Sequence, residues 1–233
     1  MRGPAASLPE GDAKTRAVRS MFDAIAPRYD LLNRLLTFRL DVGWRRRAVR
    51  ELRLAPGSLV LDVAAGTGDL ARELRHRELC PVALDLSAGM LAAARTDAPR
   101  VQADASALPL PEGSVDGVTC GFALRNFTDL EACLNEMARV LRDQGRVALI
   151  EVSTPRNPLM RFGHAVYFGK VVPAIGALLS DRAAYQYLPK SVAYLPPTAG
   201  LLGMLVHAGF DDVEHVELSG GIAQLITATR SAS

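Results

Sequence analysis

The 233-residue chain lacks several features that would indicate other classes of protein. Its three cysteines, at positions 80, 120 and 133, form no C-x-x-C pair, which favours a reducing cytoplasm. The four histidines show no metal-ligand spacing, so we predict no metal site. The first residues lack the apolar core of a signal peptide, and charged residues and a proline interrupt the most apolar late stretch, residues 159–179. We therefore expect no membrane-spanning helix.

Charge is nearly balanced overall but unevenly distributed. Residues 1–57 contain 12 Lys and Arg against 6 Asp and Glu, whereas the remainder contains 15 against 19. The basic segment, which includes Arg45-Arg46-Arg47, is interpreted as a solvated helix face. Contact with an anionic membrane or with nucleic acid stays open as the alternative.

Hydrophobic periodicity predicts an α/β protein with one main domain. We expect residues 1–14 to be disordered, residues 15–54 to be helical, and residues 1–57 to form an N-terminal extension. Residues 58–230 would form the domain, and a helical insertion at 156–209 would cover its substrate. The predicted strands are 58–63, 81–86, 100–103, 115–121 and 145–152, the predicted helices are 68–77, 87–95 and 129–142, and a hairpin pairs 212–218 with 222–229. This pattern is typical of a Rossmann-like, mostly parallel seven-stranded sheet with an antiparallel last strand.

The loop Gly66-Thr67-Gly68-Asp69, after the apolar strand that ends near Asp62, is the main indication of a ligand. It satisfies the loose glycine pattern of dinucleotide sites, in which a pyrophosphate lies at a helix N-terminus. Asp69 at that position would repel a phosphate, whereas S-adenosylmethionine is cationic and has none. The alternative for Asp69 is a carboxylate that complements the helix dipole.

Further polar residues follow the next strands. Asp85 comes 23 residues after Asp62, a spacing expected for a carboxylate that binds ribose hydroxyls. Asp104 is placed to meet the adenine amino group. The ordered set Asp62, Gly66, Gly68, Asp85 and Asp104 thus predicts an S-adenosylmethionine site.

Other segments resemble the C-methyltransferases of menaquinone and ubiquinone biosynthesis, over residues 22–229. The resemblance is carried by Phe22 to Asn33 with Trp44-Arg45, by Asp62 to Asp69, by Gly121 to Asn126, by Arg139 to Ser153 and by Tyr185 to Ser191. The chain departs from the family pattern at Thr37, where Ser is usual, and at Asp41, where His is usual.

This resemblance implies the roles of individual residues. Thr67, Asp85, Asp104, Ala105 and Gly121 would contact the cofactor. Tyr29, Arg125 and Asn126 would form the catalytic acceptor side. Phe122 and, within the cover, Tyr185 and Tyr187 would contact the acceptor. The implied reaction is methylation of a polyprenylated quinol, demethylmenaquinol, with a ubiquinone precursor as the alternative. A nucleic-acid methyltransferase and a non-catalytic scaffold remain as rivals, although no Asp/Asn-Pro-Pro-Tyr/Phe motif follows the fourth strand.

The reaction requires an aligned and nucleophilic acceptor. Because a phenol titrates near pH 10, presenting its phenolate at pH 7 needs about 4 kcal/mol of differential stabilisation. We expect Arg125 to stabilise the phenolate and Asn126 to orient the acceptor, since an arginine stays protonated and is a poor base. A polyprenyl acceptor would place the protein in the cytoplasm at the inner face of the membrane, with peripheral contact through the basic helices and residues 156–180. Homo-oligomer formation is left open.

Overall fold

Seven strands form one mixed sheet in the structure, a computed structural model that describes residues 11–167 and 191–232. The strands are β1 Leu59–Val63, β2 Cys80–Asp85, β3 Arg100–Gln102, β4 Val115–Gly121, β5 Leu141–Val152, β6 Phe210–Leu218 and β7 Ala223–Arg230. Their order is β3-β2-β1-β4-β5-β7-β6. β1 to β5 pair in parallel, and β7 is antiparallel to both of its neighbours. The predicted fold class is confirmed.

Eight α-helices accompany the sheet within the described ranges. They are α1 Gly11–Ile25, α2 Tyr29–Leu36, α3 Leu40–Glu51, α4 Asp69–Arg75, α5 Ala88–Ala92, α6 Leu130–Val140, α7 Pro158–Val166 and, after the undescribed segment, α8 Thr198–His207. Searching the described residues finds no helix with the length and apolar character needed to cross a membrane.

The N-terminal region differs from its prediction in two respects. The prediction that residues 1–14 are disordered is wrong for residues 11–14, because α1 begins at Gly11. Lys14 is buried and donates a hydrogen bond of 2.7 Å to a backbone carbonyl in the loop after β4, which holds the first turn of α1 in place. The predicted helical stretch 15–54 is broken twice, at a 3-10 turn that contains Pro27 and at Arg39, whose φ is +63°. Proline cannot donate the helical hydrogen bond, and a left-handed residue ends the helical path.

The core lies on both faces of the sheet, as expected for parallel strands buried on both sides. In β5, Val147 and Leu149 belong to the cluster that includes α6 and α8. Their neighbours Ala148 and Ile150 belong to the cluster that includes α3 and α4. Helix α3 contributes Trp44, Ala48 and Val49 to that second cluster, so the N-terminal segment is packed into the core and not merely appended to it.

The start of β5 was predicted at residue 145 but lies at Leu141. Leu141 pairs with Val115, and the register then shifts before Gly117 pairs with Arg146. Gln144 has a φ of +63°, so an irregular segment separates the two paired parts. The carboxyl ends of β1, β2, β4 and β5 meet at one edge of the sheet, where ligands bind in folds of this kind.

Candidate active site

A cavity of about 250 Å3 lies at this edge. We call it the acidic cavity. Its floor comes from the segments that follow β1, β2, β3 and β4, and α1 together with the start of α2 forms the opposite wall. The lining residues include Ala64, Gly66, Asp85, Leu86, Ser87, Asp104, Ala105, Ser106, Gly121, Phe122, Asn126, Phe22 and Tyr29. Most of the residues predicted to bind a cofactor therefore surround one space.

Asp85 connects the glycine loop to the second strand. Its Oδ2 accepts a hydrogen bond of 2.8 Å from the backbone N–H of Gly66, and its Oδ1 accepts one of 2.8 Å from that of Ser87. Gly66 has a φ of +57°, a conformation that glycine adopts without steric cost. Burial raises the pKa of Asp85 above its ordinary value. The carboxylate thus shapes the loop while it also lines the acidic cavity.

The charges around this cavity are mostly negative. Among its described lining residues, Arg19 is the one cation, whereas four are aspartates: Asp12, Asp85, Asp104 and Asp129. Asp104 accepts hydrogen bonds from the N–H and the hydroxyl of Ser106, at 2.9 and 2.8 Å. Such a lining attracts a cation and opposes a pyrophosphate.

Three predicted cofactor residues shape the loop but are not among the described residues that line the acidic cavity: Asp62, Thr67 and Gly68. Asp62 is fully buried, and its Oδ1 accepts a 2.8 Å hydrogen bond from the hydroxyl of Thr119. Burial raises the pKa of Asp62 to about 7. The hydroxyl of Thr67 donates to Asp30, which ties the loop to α2.

Asp69 does not face a ligand as predicted but is paired with cations of the protein. Its carboxylate is bonded to Arg72, and its Oδ2 lies 3.6 Å from the guanidinium of Arg45. Its charge is therefore largely compensated inside the protein. The preference for a cationic ligand comes instead from the aspartates that line the cavity.

A second, mainly apolar cavity of about 380 Å3 adjoins the first. We call it the apolar cavity. Phe22, Tyr29 and Phe122 line both cavities and form their shared wall. The remaining described lining residues are Asn33, Thr37, Phe38, Leu40, Asp41, Trp44, Arg45, Arg125, Val152, Met160, Gly163, Tyr167, Val192 and Ile222.

Arg125 lies at the apolar cavity, in the turn after β4, and its polar groups are well bonded. Its guanidinium forms a buried ion pair with Glu151 and donates to the Phe122 carbonyl at 2.8 Å and to the Ser191 hydroxyl at 3.1 Å. The backbone N–H of Arg125 also donates to Glu151, at 3.2 Å. Asn126, predicted on the acceptor side with Arg125, lines the acidic cavity instead.

Tyr29 stands at the boundary of the two cavities. Its ring meets that of Phe22 edge to face, with centroids 5.9 Å apart. Burial raises the pKa of Tyr29, so its phenol stays protonated at neutral pH and can donate a hydrogen bond. The predicted acceptor contacts Tyr185 and Tyr187 lie outside the described residues.

A profile of the ubiE/COQ5 methyltransferase family matches residues 10–230. The chain belongs to this family. A ubiquinone/menaquinone biosynthesis C-methyltransferase from Syntrophotalea carbinolica is 43% identical over 225 residues, with 91% of this chain and 94% of the relative covered. A demethylmenaquinone methyltransferase from Mycolicibacterium vanbaalenii is 43% identical over 216 residues, with 92% and 95% covered.

Solved structures agree on the fold of this family member. A SAM-dependent methyltransferase from Thermotoga maritima superposes with a TM-score of 0.66 at 20% identity, and 91% of this chain and 99% of that chain are covered. The predicted enzyme class, a C-methyltransferase of quinone biosynthesis, is confirmed by the family match and the relatives.

Sequence reasoning assigned no role to several polar residues at the two cavities. Asp12 lies in the segment that was predicted to be disordered. Asp129 caps α6, because its carboxylate accepts a hydrogen bond of 2.9 Å from the backbone N–H of Ala132, and a cap gives no indication of a ligand. Asp41 was noticed only as a departure from the family pattern. Glu151 is not among the described residues that line either cavity, and its pairing with Arg125 was not predicted because the two residues are 26 positions apart.

Proposed function

We propose that the protein transfers the methyl group of S-adenosylmethionine to a ring carbon of a polyprenylated quinol, converting demethylmenaquinol to menaquinol in menaquinone biosynthesis. The observation that carries this proposal is the pair of adjoining cavities, one acidic and one apolar, with Phe22, Tyr29 and Phe122 as the shared wall. A cationic methyl donor suits the first cavity, and an apolar aromatic acceptor suits the second.

The residues of the acidic cavity fit S-adenosylmethionine as the methyl donor. Asp85 would hold the ribose hydroxyls, Asp104 and Ala105 the adenine, and Gly66 and Gly121 allow close approach of the ligand to the backbone. When bound, this cofactor supplies an electrophilic methyl group on a sulfonium, with a neutral leaving group. The relative from Thermotoga maritima, whose fold matches, is named SAM-dependent, which supports the assignment.

The residues of the apolar cavity orient the quinol and stabilise its ionised form. Tyr29 can donate a hydrogen bond to an acceptor oxygen, and Arg125 provides a guanidinium beside the ring. Glu151 offsets part of the charge of Arg125, so we expect Arg125 to supply a fraction of the 4 kcal/mol estimated above, at roughly 1–3 kcal/mol for a hydrogen bond to a charged group.

Menaquinone is preferred to ubiquinone because both curated relatives reported above have names that cover menaquinone, and only one of the names covers ubiquinone. The test is to incubate pure protein with methyl-labelled S-adenosylmethionine and each reduced precursor, demethylmenaquinol and the methoxybenzoquinol, under anaerobic conditions. We expect the label on the vacant ring carbon of the naphthoquinol. Labelling of the benzoquinol alone would contradict the acceptor assignment, and labelling of neither quinol would contradict the function.

The surroundings of the apolar cavity support a membrane-bound source of the acceptor. Phe38, Leu159 and Phe162 are 74%, 80% and 70% exposed, and exposed Leu40 and Met160 line the cavity itself. The ring of Phe38 lies 5.8 Å from that of Tyr167, just beyond α7, so the exposed residues of the α2–α3 turn and of α7 are neighbours. We call Phe38, Leu40, Leu159, Met160 and Phe162 the apolar rim. In this proposal the apolar rim enters the bilayer interface and admits the prenyl tail.

Vesicle flotation tests the membrane contact. The double variant Phe38→Asp/Phe162→Asp should lose binding to vesicles of phosphatidylcholine and phosphatidylglycerol that the wild type retains. The matched control is Val206→Asp on α8, since Val206 is an exposed apolar residue, 59% exposed, that is not among the residues lining the apolar cavity. Absence of wild-type binding, with and without the anionic lipid, would refute the contact.

A further inference from the structure

Asp41 is the one carboxylate among the described residues that line the apolar cavity. It lies in the first turn of α3 and is 1% exposed. Burying an ionised group in an apolar environment is costly unless the surroundings stabilise it. Asp41 therefore places a carboxylate at a cavity whose other described lining residues are mainly apolar.

The surroundings of Asp41 hold its carboxylate in one position. The hydroxyl of Thr37 lies 2.5 Å from Oδ1 and 2.7 Å from the carbonyl oxygen of Asn33, and the guanidinium of Arg45 bonds to Oδ2. Arg45 is shared, because the same nitrogen lies 3.6 Å from Oδ2 of Asp69. The guanidinium of Arg45 also lies 5.3 Å from the ring centroid of Phe122, in the shared wall. Asp41 and Arg45 therefore sit together beside the junction of the two cavities.

The other polar groups at the apolar cavity are poor proton acceptors. Burial raises the pKa of Tyr29 and of Tyr167, so both phenols are already protonated at neutral pH. Arg45 and Arg125 are permanently protonated, and Asn33 and Thr37 have no basic atom. Glu151 is fully buried, bonded to Arg125, and not among the described residues that line the cavity.

We propose that Asp41 is a catalytic residue that takes the hydroxyl proton from the quinol, and that Arg45 then stabilises the oxyanion. This inference rests on the proposed function. The O–H bond breaks, the proton goes to the Asp41 carboxylate, and the electron pair stays on oxygen. The neighbouring ring carbon bonds the methyl carbon, whose bond to sulfur breaks with its electron pair left on sulfur. The proton on the methylated ring carbon is then lost to solvent, which restores the aromatic ring as a phenolate. Asp41 returns its proton to the oxygen, so the hydroxyl is restored and one proton is released overall.

The proton transfer moves the negative charge from the Asp41 carboxylate to the quinol oxygen and creates no new charge. Before proton transfer Arg45 faces the carboxylate of Asp41, and afterwards it faces a neutral acid and a phenolate. A donor that is already in place when charge develops needs no rearrangement, which is the condition under which such stabilisation is most effective. The sharing of Arg45 with Asp69 keeps the guanidinium in position when Asp41 becomes neutral.

Asp41→Asn tests the assignment, because it retains the shape of the side chain and removes the base. We expect methylation of demethylmenaquinol at pH 7, measured anaerobically in single turnover, to fall about 100- to 10,000-fold. Calorimetry should show unchanged binding of S-adenosylmethionine. The rate of the variant should then rise about tenfold per pH unit from 7 to 9, because only the ionised quinol would react, while the wild-type rate changes much less. The ionisable groups sharing the cavity with Asp41 are Tyr29, Tyr167, Arg45 and Arg125, and Asp69 faces Arg45 from α4. Burial raises the pKa of both tyrosines, so we expect neither phenol to ionise between pH 7 and 9.

Asp97→Asn is the matched control, since Asp97 has an 80% exposed side chain, and its activity should equal that of the wild type. A normal rate for Asp41→Asn, or a loss of the same factor at every pH, would overturn the assignment. Should Asp41→Asn fail to fold, Asp41→Glu keeps a carboxylate and should follow the wild-type pH profile at a lower rate; a tenfold rise per pH unit in that variant would also overturn it. A wild type that methylates neither quinol would instead contradict the proposed function, so the two failures are distinguishable.

Discussion

Replacing Arg125 with methionine should destabilise the protein, because Glu151 would become a buried charge without its cation. The side chains of Arg125 and Glu151 are 8% and 1% exposed, so solvent cannot replace the lost partner. Removing one member of a buried ion pair typically costs about 3–5 kcal/mol. We therefore expect the free energy of unfolding, measured by urea denaturation, to fall by about that amount in Arg125→Met.

The double variant Arg125→Met/Glu151→Gln separates this stability effect from catalysis. Glutamine removes the buried charge and can still accept from a backbone N–H, so we expect at least half of the lost stability to return. If Arg125 supplies about 2 kcal/mol toward the phenolate, the kcat of the refolded double variant should stay about 30-fold low. An unfolding free energy for Arg125→Met within about 0.5 kcal/mol of wild type would refute the stability argument. A double variant with wild-type kcat would refute the catalytic role of Arg125.

Three further predictions concern the glycine loop and its carboxylates. Asp85→Asn should weaken binding of S-adenosylmethionine about 10- to 100-fold, the equivalent of one charge-assisted hydrogen bond, in calorimetry with Asp97→Asn as the unaffected control. The pKa of Asp62 is raised to about 7, so the folded state binds more protons than the unfolded state between about pH 4 and 7. The free energy of unfolding should therefore fall by up to ~4 kcal/mol as pH rises through that window. In Asp62→Asn the unfolding free energy, measured by urea denaturation at each pH, should change much less with pH. A wild-type unfolding free energy that does not depend on pH would contradict this prediction. Gly68 has a φ of +83°, and a Cβ there would lie 2.6 Å from Thr96, so Gly68→Ala should lower the unfolding free energy by at least about 1 kcal/mol; an unchanged midpoint in urea would contradict that strain.

The sequence predicted the centre of the sheet well because β1, β4 and the second half of β5 are buried on both faces and are rich in apolar residues, whereas the edge strand β3 is largely exposed. The ligand edge followed from topology, since Gly66, Asp85, Asp104 and Gly121 all lie at or shortly after the carboxyl ends of strands. The start of β5 at Leu141 was missed because pairing across an irregular register leaves no alternation in the sequence. The helix break at Arg39 was not predicted because arginine has no preference for the left-handed conformation that this residue adopts.

The candidate site was predicted less completely than the fold. Asp85, Asp104 and Gly121 were placed at the acidic cavity by their strands, whereas Asp62 has the expected position but its carboxylate is enclosed in the core. The pairing of Arg125 with Glu151 joins the turn after β4 to the end of β5, across 26 positions of sequence. Such contacts depend on three-dimensional register, which a single sequence does not encode in local spacing.

The two cavities share Phe22, Tyr29 and Phe122 but take most of their other walls from different parts of the chain. Nine of the residues that line the apolar cavity lie between positions 22 and 45, whereas the acidic cavity is floored mainly by strand ends. Substitutions between positions 33 and 45 can therefore change which ring is accepted while Asp85, Asp104 and the glycine loop, which surround the donor, stay the same. Chimaeras that exchange this segment between relatives with different quinone preferences should inherit the choice of acceptor from the exchanged helices.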